Sequence, residues 1–193
     1  MSTDTSSSCI NQLVSGKVID KYTVVKKIGE GNFGTVYHVN LSIQMCIKQE
    51  KLQLLRLELL VMQRLKARNA IHMPDLISKG NYENINYIVM KLLGRSLQDA
   101  KKTGPDKHLS LGPAIGVSIQ DVKPGNFVIG RPEDGDLRKL YIIDFGMCRQ
   151  FVDSKSTMLP PRKKAPFRGT PRYAPIASHL FKEHCRRDDV ESW

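Results

Sequence analysis

Several features that mark other classes of protein are missing from this sequence of 193 residues. No run of about 18 apolar residues is present, so no membrane-spanning helix is predicted. The Ser/Thr-rich start has no apolar run behind it, so we do not expect a secretory signal. The few cysteines are widely scattered without paired spacing, which indicates free thiols in a reducing compartment. They are Cys9, Cys46, Cys148 and Cys185. We therefore expect a cytoplasmic or nuclear protein that does not contact a membrane.

The first half of the chain has a strand-rich pattern. A stretch at 51–68 is rich in Leu and lacks Gly and Pro, so it predicts a helix. Residues 1–20 are predicted to form a flexible tail. Short alternating apolar runs predict strands at 22–28, 35–39, 43–48, 76–79 and 87–90. This order predicts an α+β fold that begins with a five-stranded antiparallel sheet, with one helix inserted after the third strand.

Three glycines, Gly29, Gly31 and Gly34, lie between the first two predicted strands. Glycine in such a turn lets the backbone approach phosphate oxygens and offer N–H groups to them. Many ordinary hairpins also carry three glycines, so the pattern alone is weak. Its position between two strands argues against a dinucleotide-binding fold, in which a helix should follow.

A lysine and a glutamate follow at an informative spacing. Lys48 closes the third predicted strand, and Glu58 lies ten residues later in the helix, within an otherwise apolar face. A buried carboxylate needs a cationic partner, and Lys48 is the natural candidate. A lysine placed in this way can reach the α- and β-phosphates of ATP. The alternative is a surface lysine and a glutamate at the edge of an amphipathic helix.

Two short segments in the second half match the pattern of phosphoryl-transfer chemistry. Asp121 and Asn126 are five residues apart with Lys123 between them, which is the spacing of a protein-kinase catalytic loop. In that pattern Asp121 accepts the substrate hydroxyl proton, Lys123 steadies the transferring phosphate and Asn126 binds magnesium. Asp144, in Asp144-Phe145-Gly146, follows an apolar strand. In the same pattern it would bind the other magnesium ion. An Asp-Phe-Gly tripeptide alone is an ordinary exit from a strand, but the two segments in this order support the kinase interpretation.

The charge of the chain is strongly basic, with a formal net charge of +11. The late basic residues are Arg149, Arg162, Lys163, Lys164, Arg168, Arg172, Lys182, Arg186 and Arg187. A solvated basic surface is the default interpretation of such a run. Neither interleaved aromatic residues nor a known module supports nucleic-acid binding, so we expect none. Because these residues follow the predicted metal-binding loop, where kinases bind their substrate, we favour a site for acidic or phosphorylated peptide.

Five segments together resemble the casein kinase 1 group of protein kinases, including its tau-tubulin kinase branch. The segments are LELLVM at 57–62, MKLLGRSL at 90–97, DVKPGNF at 121–127, FRGTPRYA at 167–174 and RRDDVESW at 186–193. They extend over nearly the whole chain from residue 20 on, and the last three are distinctive of that group. Most kinases carry Ala-Pro-Glu after the activation loop. This chain has Ala174-Pro175-Ile176, a departure that is usual in the group it resembles.

The resemblance implies a two-lobe kinase fold, with the small lobe and hinge at 21–93 and a partial large lobe at 94–193. It also implies a monomeric serine/threonine protein kinase that uses ATP and Mg²⁺ and acts on Ser or Thr of protein substrates. By analogy, Met90 is the gatekeeper and Leu93 a hinge contact for adenine. Further implied contacts are Ile28 and Val36 for the nucleotide, and Arg168 and Arg172 for the anion of an acidic or primed substrate.

The chain also departs from the group it resembles. Kinases place a His-Arg pair before the catalytic aspartate, whereas this chain has Ile119-Gln120. The group has a long helix ahead of this loop, and a helix that crosses a lobe needs about 20 residues for 30 Å. Only 110–120 is available, so we expect the second half of that helix and the following strand to be missing. We also expect a C-terminal truncation, because the chain ends at Trp193, inside the helix on which Asp189 would brace the catalytic loop.

Two functions therefore stay open at the level of sequence. The first is a serine/threonine kinase, supported by Lys48, Glu58, Asp121, Lys123, Asn126 and Asp144. The second is a catalytically inactive kinase-like isoform or fragment that acts as a nucleotide- or protein-binding module. The expected loss of helices supports the second, because catalysis needs its side chains fixed to about 0.5 Å by their surroundings.

Overall fold

A computed structural model of the chain describes residues 13–31, 34–40, 43–48, 52–83, 85–103, 120–151, 155 and 157–192. The secondary structure of these residues divides into a sheet lobe and a second region that begins after the last strand of the sheet. None of the helices in the described ranges is long and apolar enough to cross a membrane.

The sheet lobe is an antiparallel six-stranded sheet with one helix. The strands are β1 (Val18–Ile19), β2 (Tyr22–Gly31), β3 (Gly34–Val39), β4 (Ile43–Lys48), β5 (Leu76–Tyr82) and β6 (Ile85–Lys91), and helix α1 (Leu52–Ala67) follows β4. They lie in the order β1-β2-β3-β4-β6-β5, and every neighbouring pair is antiparallel. The predicted α+β fold class and the position of the helix are confirmed.

The first strand was not predicted. Residues 1–20 were expected to form a tail, yet Val18 pairs with Thr23 and Ile19 with Tyr22. Ile19 is fully buried in a cluster with Val24 and other apolar residues of the sheet. Burying an isoleucine contributes about 1.5–3 kcal/mol, which offsets a large part of the backbone entropy lost on ordering two residues, about 1–2 kcal/mol each. The predicted tail boundary is therefore wrong for residues 13–20, and residues 1–12 lie outside the described part of the chain.

Alternation along β6 divides the apolar side chains between two faces. Tyr87 and Val89 belong to one buried cluster with residues of β1 to β4, whereas Ile88 and Met90 belong to the cluster that includes α1. Successive side chains of a strand point to opposite faces, so a single apolar strand serves both clusters. This is why all four residues at 87–90 are buried.

The second region has short elements joined by long connections. They are α2 (Leu97–Thr103), β7 (Phe127–Ile129), β8 (Leu140–Ile142), α3 (Ile176–His179) and α4 (Arg186–Glu191). β7 and β8 form an antiparallel hairpin, with Val128 opposite Tyr141. The segment predicted to precede the catalytic loop falls within 104–119, outside the described residues.

A shared apolar cluster joins the sheet lobe to the second region. Leu55 and Met62 of α1 pack with a set of buried residues that follow residue 120. These are Val122, Phe127, Ile142, Phe145 and Cys148. The two predicted functional segments, around Asp121 and Asp144, are therefore anchored against the helix that carries Glu58.

Candidate active site

The predicted catalytic loop closes a small ring of polar contacts. Lys123 Nζ lies 2.7 Å from Asp121 Oδ2 and donates to Thr170 Oγ1 at 2.8 Å. The Thr170 hydroxyl in turn donates to Asp121 Oδ1 at 2.9 Å. The Asp121 side chain is 4% exposed and that of Lys123 is 25% exposed, so the ring has one buried and one accessible end. A buried carboxylate held by an ammonium group and a hydroxyl keeps a fixed orientation.

Asn126 is also oriented toward Asp121. Its amide nitrogen donates to the Asp121 carbonyl oxygen at 3.0 Å and to Asp121 Oδ2 at 3.3 Å. Residues 124–126 form a single 3₁₀ turn that begins at Pro124, whose fixed backbone suits the first position of such a turn. Because its nitrogen is committed to Asp121, the amide oxygen of Asn126 is the atom left to face a cation.

Asp144 is placed beside Asn126 by the β7–β8 hairpin. Asn126 immediately precedes β7, and the amide of Ile143 donates to its carbonyl oxygen at 2.9 Å. Asp144 has a left-handed backbone, with φ of 64°, and its Oδ1 accepts from the amide of Gly146 at 3.3 Å. A non-glycine residue in this conformation is uncommon and occurs at functional turns. Phe145 is buried in the shared cluster, which fixes the turn.

Glu58 and Asp144 both lie close enough to the buried thiol of Cys148 to affect its pKa. The pKa of Cys148 is raised to about 12, first by burial and then by the negative charges of Asp189, Asp144 and Glu58. These three carboxylates come from α4, the turn after β8 and α1, so the fold brings them around one point. Glu58 is 4% exposed, as its apolar helical neighbours predicted. Lys48 ends β4, but its side chain lies outside the described ones, so the Lys48–Glu58 pair stays a prediction.

Several predicted nucleotide contacts lie in strands β2 and β3 of the sheet lobe. Gly29 and Gly31 are in β2, with Gly31 opposite Gly34 at the tip of the hairpin with β3. Among the described residues, a side chain at Gly29 would meet no atom within 4 Å, so this part of the structure leaves the backbone there open to a ligand. Ile28 is 43% exposed, and Val36 packs against the shared cluster.

The two predicted hinge residues have different surroundings. Met90 is buried in the shared cluster, and its role as gatekeeper stays a prediction. The Leu93 side chain is buried against Val128 and Tyr141 of the β7–β8 hairpin. An adenine contact at Leu93 is therefore predicted through its backbone, while its side chain joins the sheet lobe to the hairpin.

The two predicted anion-binding arginines lie in different environments. Arg168 is half-buried near Arg149 and Arg162, and burial together with these two positive charges lowers its pKa. Glu183 neutralises part of this charge, because it pairs with Arg162 and, at 3.0 Å, with Arg149. Arg172 is exposed, with its guanidinium 5.9 Å from the centre of the Tyr173 ring. The contacts of the described residues place Arg168 within the arginine cluster and Arg172 outside it.

A brace behind the catalytic loop is visible at Gln120. Its backbone amide donates to Asp189 Oδ1 at 2.9 Å, across 69 residues of sequence. Gln120 has φ of 63°, and a side chain at Gly169 would come within 3.1 Å of its carbonyl oxygen. The expected role of Asp189 as a brace is confirmed. Thr170 was not predicted as a site residue, since its partner Asp121 is 49 residues away and no local pattern connects them.

The sequence of this chain is similar to those of several named protein kinases. No protein-family model matches it. It is 37% identical to a probable serine/threonine-protein kinase of Dictyostelium discoideum, over 89% of this chain and 39% of that protein. It is 31% identical to serine/threonine-protein kinase spe-6 of Caenorhabditis elegans, over 90% of this chain and 51% of that protein. It is also 31% identical to casein kinase I homolog 2 of Saccharomyces cerevisiae, over 89% of this chain and 35% of that protein.

The extent of these matches has two consequences. The chain spans between about a third and about half of the length of these relatives. The match with the Dictyostelium protein runs over 196 positions while it includes only 89% of the 193 residues here, so the relative has residues inside the matched region that this chain lacks. The branch within the group stays a prediction. The chain is thus casein kinase 1-like: over 89–90% of its residues it is similar to serine/threonine protein kinases that include a casein kinase I homolog.

Proposed function

We propose that the chain binds ATP with Mg²⁺ and transfers the γ-phosphoryl group to Ser or Thr hydroxyls of proteins. The observation that carries this proposal is the convergence of Asp121, Lys123 and Asn126 in one loop, with Asp144 beside Asn126 across the hairpin. Phosphoryl transfer needs a base, a cation near the phosphate and metal-binding oxygens in one place. This loop and hairpin supply that set.

The proton-accepting role falls to Asp121. Its carboxylate is fixed by Thr170 and Lys123, so it meets a substrate hydroxyl without first having to reorient. Lys123 is the more exposed member of the ring and can turn its ammonium group toward the transferring phosphoryl group. Thr170 keeps Asp121 oriented when Lys123 moves.

The oxygen atoms at Asn126 and Asp144 suit magnesium. Mg²⁺ prefers oxygen ligands and is usually bound by one or two carboxylates together with substrate phosphates. The Asn126 amide oxygen and the Asp144 carboxylate fit that preference. The residues described contain no group of three or more His, Cys, Asp or Glu that could hold a metal ion, so phosphate oxygens of the nucleotide would complete the ligand set. When bound, Mg²⁺ neutralises the charge on the phosphate oxygens.

The nucleotide lies, in this proposal, between the glycine turn and β6. Gly29, Gly31 and Gly34 face its phosphates, Lys48 reaches them with Glu58 as its partner, and the hinge at Leu93 contacts adenine. Ile28, Val36 and Met90 supply apolar contacts. The open space at Gly29 supports this arrangement, because any side chain there would take the place of a phosphate.

The protein substrate is proposed to be acidic or already phosphorylated. The cluster around Arg168 has three guanidinium groups and one carboxylate, Glu183, so it has excess positive charge next to the catalytic loop. An anion there relieves the repulsion among the arginines, and Arg172 extends the basic surface outward. We further infer a monomer, from the resemblance to the casein kinase 1 group, and a cytoplasmic or nuclear location, from the scattered cysteines of the sequence.

The proposal is tested on the purified chain in two steps. Mg·ATP should raise its thermal unfolding midpoint, and the chain should incorporate phosphate into a casein-like acidic protein. Lys48→Met and Asp144→Asn should each abolish the incorporation, while Lys102→Met, an exposed helix residue, should leave it unchanged. Absence of both the thermal shift and the incorporation in the wild-type chain would refute the proposal.

A second function is favoured by one feature of the site. Gln120 stands where kinases place arginine, and its side-chain oxygen is buried without a hydrogen-bond partner among the described residues. Together with the residues that relatives have and this chain lacks, this favours a nucleotide- or protein-binding module without turnover. The module predicts a thermal shift with Mg·ATP, no phosphate incorporation, and no effect of Asp121→Asn on nucleotide binding.

A further inference from the structure

The last residue of β6, Lys91, joins the sheet lobe to the second region. Its backbone pairs with Ile43 of β4, and its amide donates to the Asp75 carbonyl oxygen at 3.0 Å, so it is fixed in the sheet lobe. Its ammonium group donates to Asp136 Oδ2 at 2.7 Å and lies 3.4 Å from Asp134 Oδ2. Both aspartates belong to the connection between β7 and β8. The ion pair therefore crosses from one lobe to the other.

The acceptor of this ion pair is itself held in position. The Tyr141 hydroxyl donates to the same Asp136 oxygen at 2.8 Å, and Tyr141 is 3% exposed. A side chain at Gly130 would come within 2.3 Å of the Asp136 carbonyl oxygen, so the connection folds tightly onto the start of the hairpin. The pKa of Asp136 is lowered, first by the hydrogen bond from Lys91 and then by that from Tyr141. Burial of the tyrosine and the close turn make this a rigid acceptor.

The same hairpin is joined to the hinge by its backbone. The Gly94 amide donates to the Ile129 carbonyl oxygen at 2.9 Å, and the Ile129 amide donates to the Arg95 carbonyl oxygen at 2.9 Å. A side chain at Gly94 would lie 2.8 Å from that Ile129 oxygen, so only glycine permits this approach. Lys91, through its ion pair, and Gly94, through its backbone hydrogen bond, thus both hold the hairpin, one on each side of Leu93 in the sequence.

The hairpin connects the hinge to the predicted metal ligands. Asn126 immediately precedes β7, and Asp144 follows β8 by two residues. Any rotation of the hairpin relative to β6 changes the distance between the adenine position at the hinge and the oxygens of Asn126 and Asp144. The length of a nucleotide is fixed, so that distance decides whether one molecule can contact both ends at once.

We propose that Lys91 is a positioning residue, whose ion pair with Asp136 fixes the predicted metal ligands at the correct distance from the hinge. The inference rests on the proposed nucleotide-binding function and adds a role for a residue that does not touch the nucleotide. It differs from simple stabilisation in one respect. Loss of the ion pair lowers the affinity for ligands that contact both the hinge and the metal, and leaves the affinity for ligands that contact the hinge alone nearly unchanged.

The test compares two ligands by isothermal titration calorimetry on the whole chain. Adenosine contacts the hinge only, and a non-hydrolysable ATP analogue with Mg²⁺ contacts both ends. Lys91→Met and Asp136→Asn should each lower the affinity for the analogue about fivefold and the affinity for adenosine less than about twofold. This size is expected for the loss of one partly exposed ion pair. Lys91→Arg should restore wild-type affinity for the analogue. If Lys91→Met fails to fold, Asp136→Asn removes the same ion pair from its other side and provides the measurement.

The matched control is Lys102→Met. Lys102 pairs with Asp99 at 3.5 Å on α2, both side chains are more than half exposed, and the pair does not cross between lobes. It should change neither affinity. Equal weakening of both ligands in Lys91→Met, or no weakening of the analogue, would overturn the inference while the proposed function stands. Failure of the wild-type chain to bind either ligand would instead overturn the proposed function, and the inference with it.

Discussion

The sheet lobe, residues 13–93, and the segment from 120 to 192 use different interactions to keep their shape. In the sheet lobe, six strands pair in one ladder and apolar side chains fill clusters on both faces of β6. In the later segment the elements are short, and long-range polar contacts connect them, such as Gln120 to Asp189 and Thr170 to Asp121. A ladder loses little when one side chain changes, whereas a buried polar contact leaves an unsatisfied partner. The difference teaches that the predicted proton acceptor and metal ligands lie in the part of the molecule most sensitive to single polar substitutions.

The largest expected effect is on the rate of phosphoryl transfer. Asp121→Asn removes the proton acceptor but keeps the shape of the side chain, so phosphate incorporation should fall by about 10²–10⁴-fold. Binding of Mg·ATP, measured by thermal shift, should stay near the wild-type value because Asp121 is not a predicted metal ligand. Wild-type turnover in Asp121→Asn would show that another group accepts the proton.

The next effect tests the polar brace of the later segment. Asp189→Ala leaves the buried amide of Gln120 without its acceptor and should lower the free energy of unfolding by about 1–3 kcal/mol. Urea unfolding measures this change. Asp75→Ala removes an exposed carboxylate in the sheet lobe and should alter stability by less than about 0.5 kcal/mol. Equal effects of the two substitutions would contradict the contrast between the regions.

An effect of similar size on stability separates fold from site within the sheet lobe. A side chain at Gly80 would lie 2.3 Å from the Tyr87 hydroxyl oxygen, so Gly80→Ala should destabilise the chain by about 1–3 kcal/mol as the ring is displaced. The Tyr87 ring is buried, and its hydroxyl donates to the Asp20 carboxylate. The pKa of Tyr87 is raised to about 12, mainly by burial. Gly29→Ala should leave stability almost unchanged and weaken Mg·ATP instead. If Gly29→Ala destabilises as much as Gly80→Ala, the space at Gly29 is structural rather than functional.

The smallest effect is a dependence of stability on pH that arises in the later segment. The Ser178 hydroxyl donates to the Arg168 carbonyl oxygen, so it accepts from His184 Nε2 at 2.6 Å. His184 Nδ1 is then unprotonated, and it is buried without a partner among the described residues. Burial is the main cause that lowers the pKa of His184 from 6.5. The nearby Arg168 and Arg162 lower it further, against the opposing effects of Asp188 and Glu183.

The sign of the pH effect follows from this lowered pKa. The unfolded chain takes up the proton at higher pH than the folded chain, so the free energy of unfolding should fall as the pH drops below 6.5. Urea unfolding between pH 7.5 and 5 measures the slope. His184→Gln should flatten it, and His179→Gln, at an exposed position, should not. An unchanged slope in His184→Gln would assign the dependence to other groups.

Local patterns predicted the sheet lobe better than the later segment. Alternation located five of the six strands, because each strand carries its own periodicity. β1 was missed because two residues are too short to show a period, and its order depends on the burial of Ile19 in a cluster formed by distant strands. The spacing of Asp121, Lys123 and Asn126 indicated that they share a loop, because all three lie within the short segment 121–126.

The sequence alone determined the class of fold, the kinase-like order of functional segments and the buried position of Glu58, since periodicity, spacing and residue chemistry are local properties. The tertiary structure alone decided that Thr170 joins Asp121, that Leu93 packs on the β7–β8 hairpin, and that Lys91 reaches Asp136. These contacts join residues separated by 35 to 49 positions, and no short-range pattern encodes which distant partners will meet. Their geometry depends on the sheet, the hairpin and the shared apolar cluster forming together.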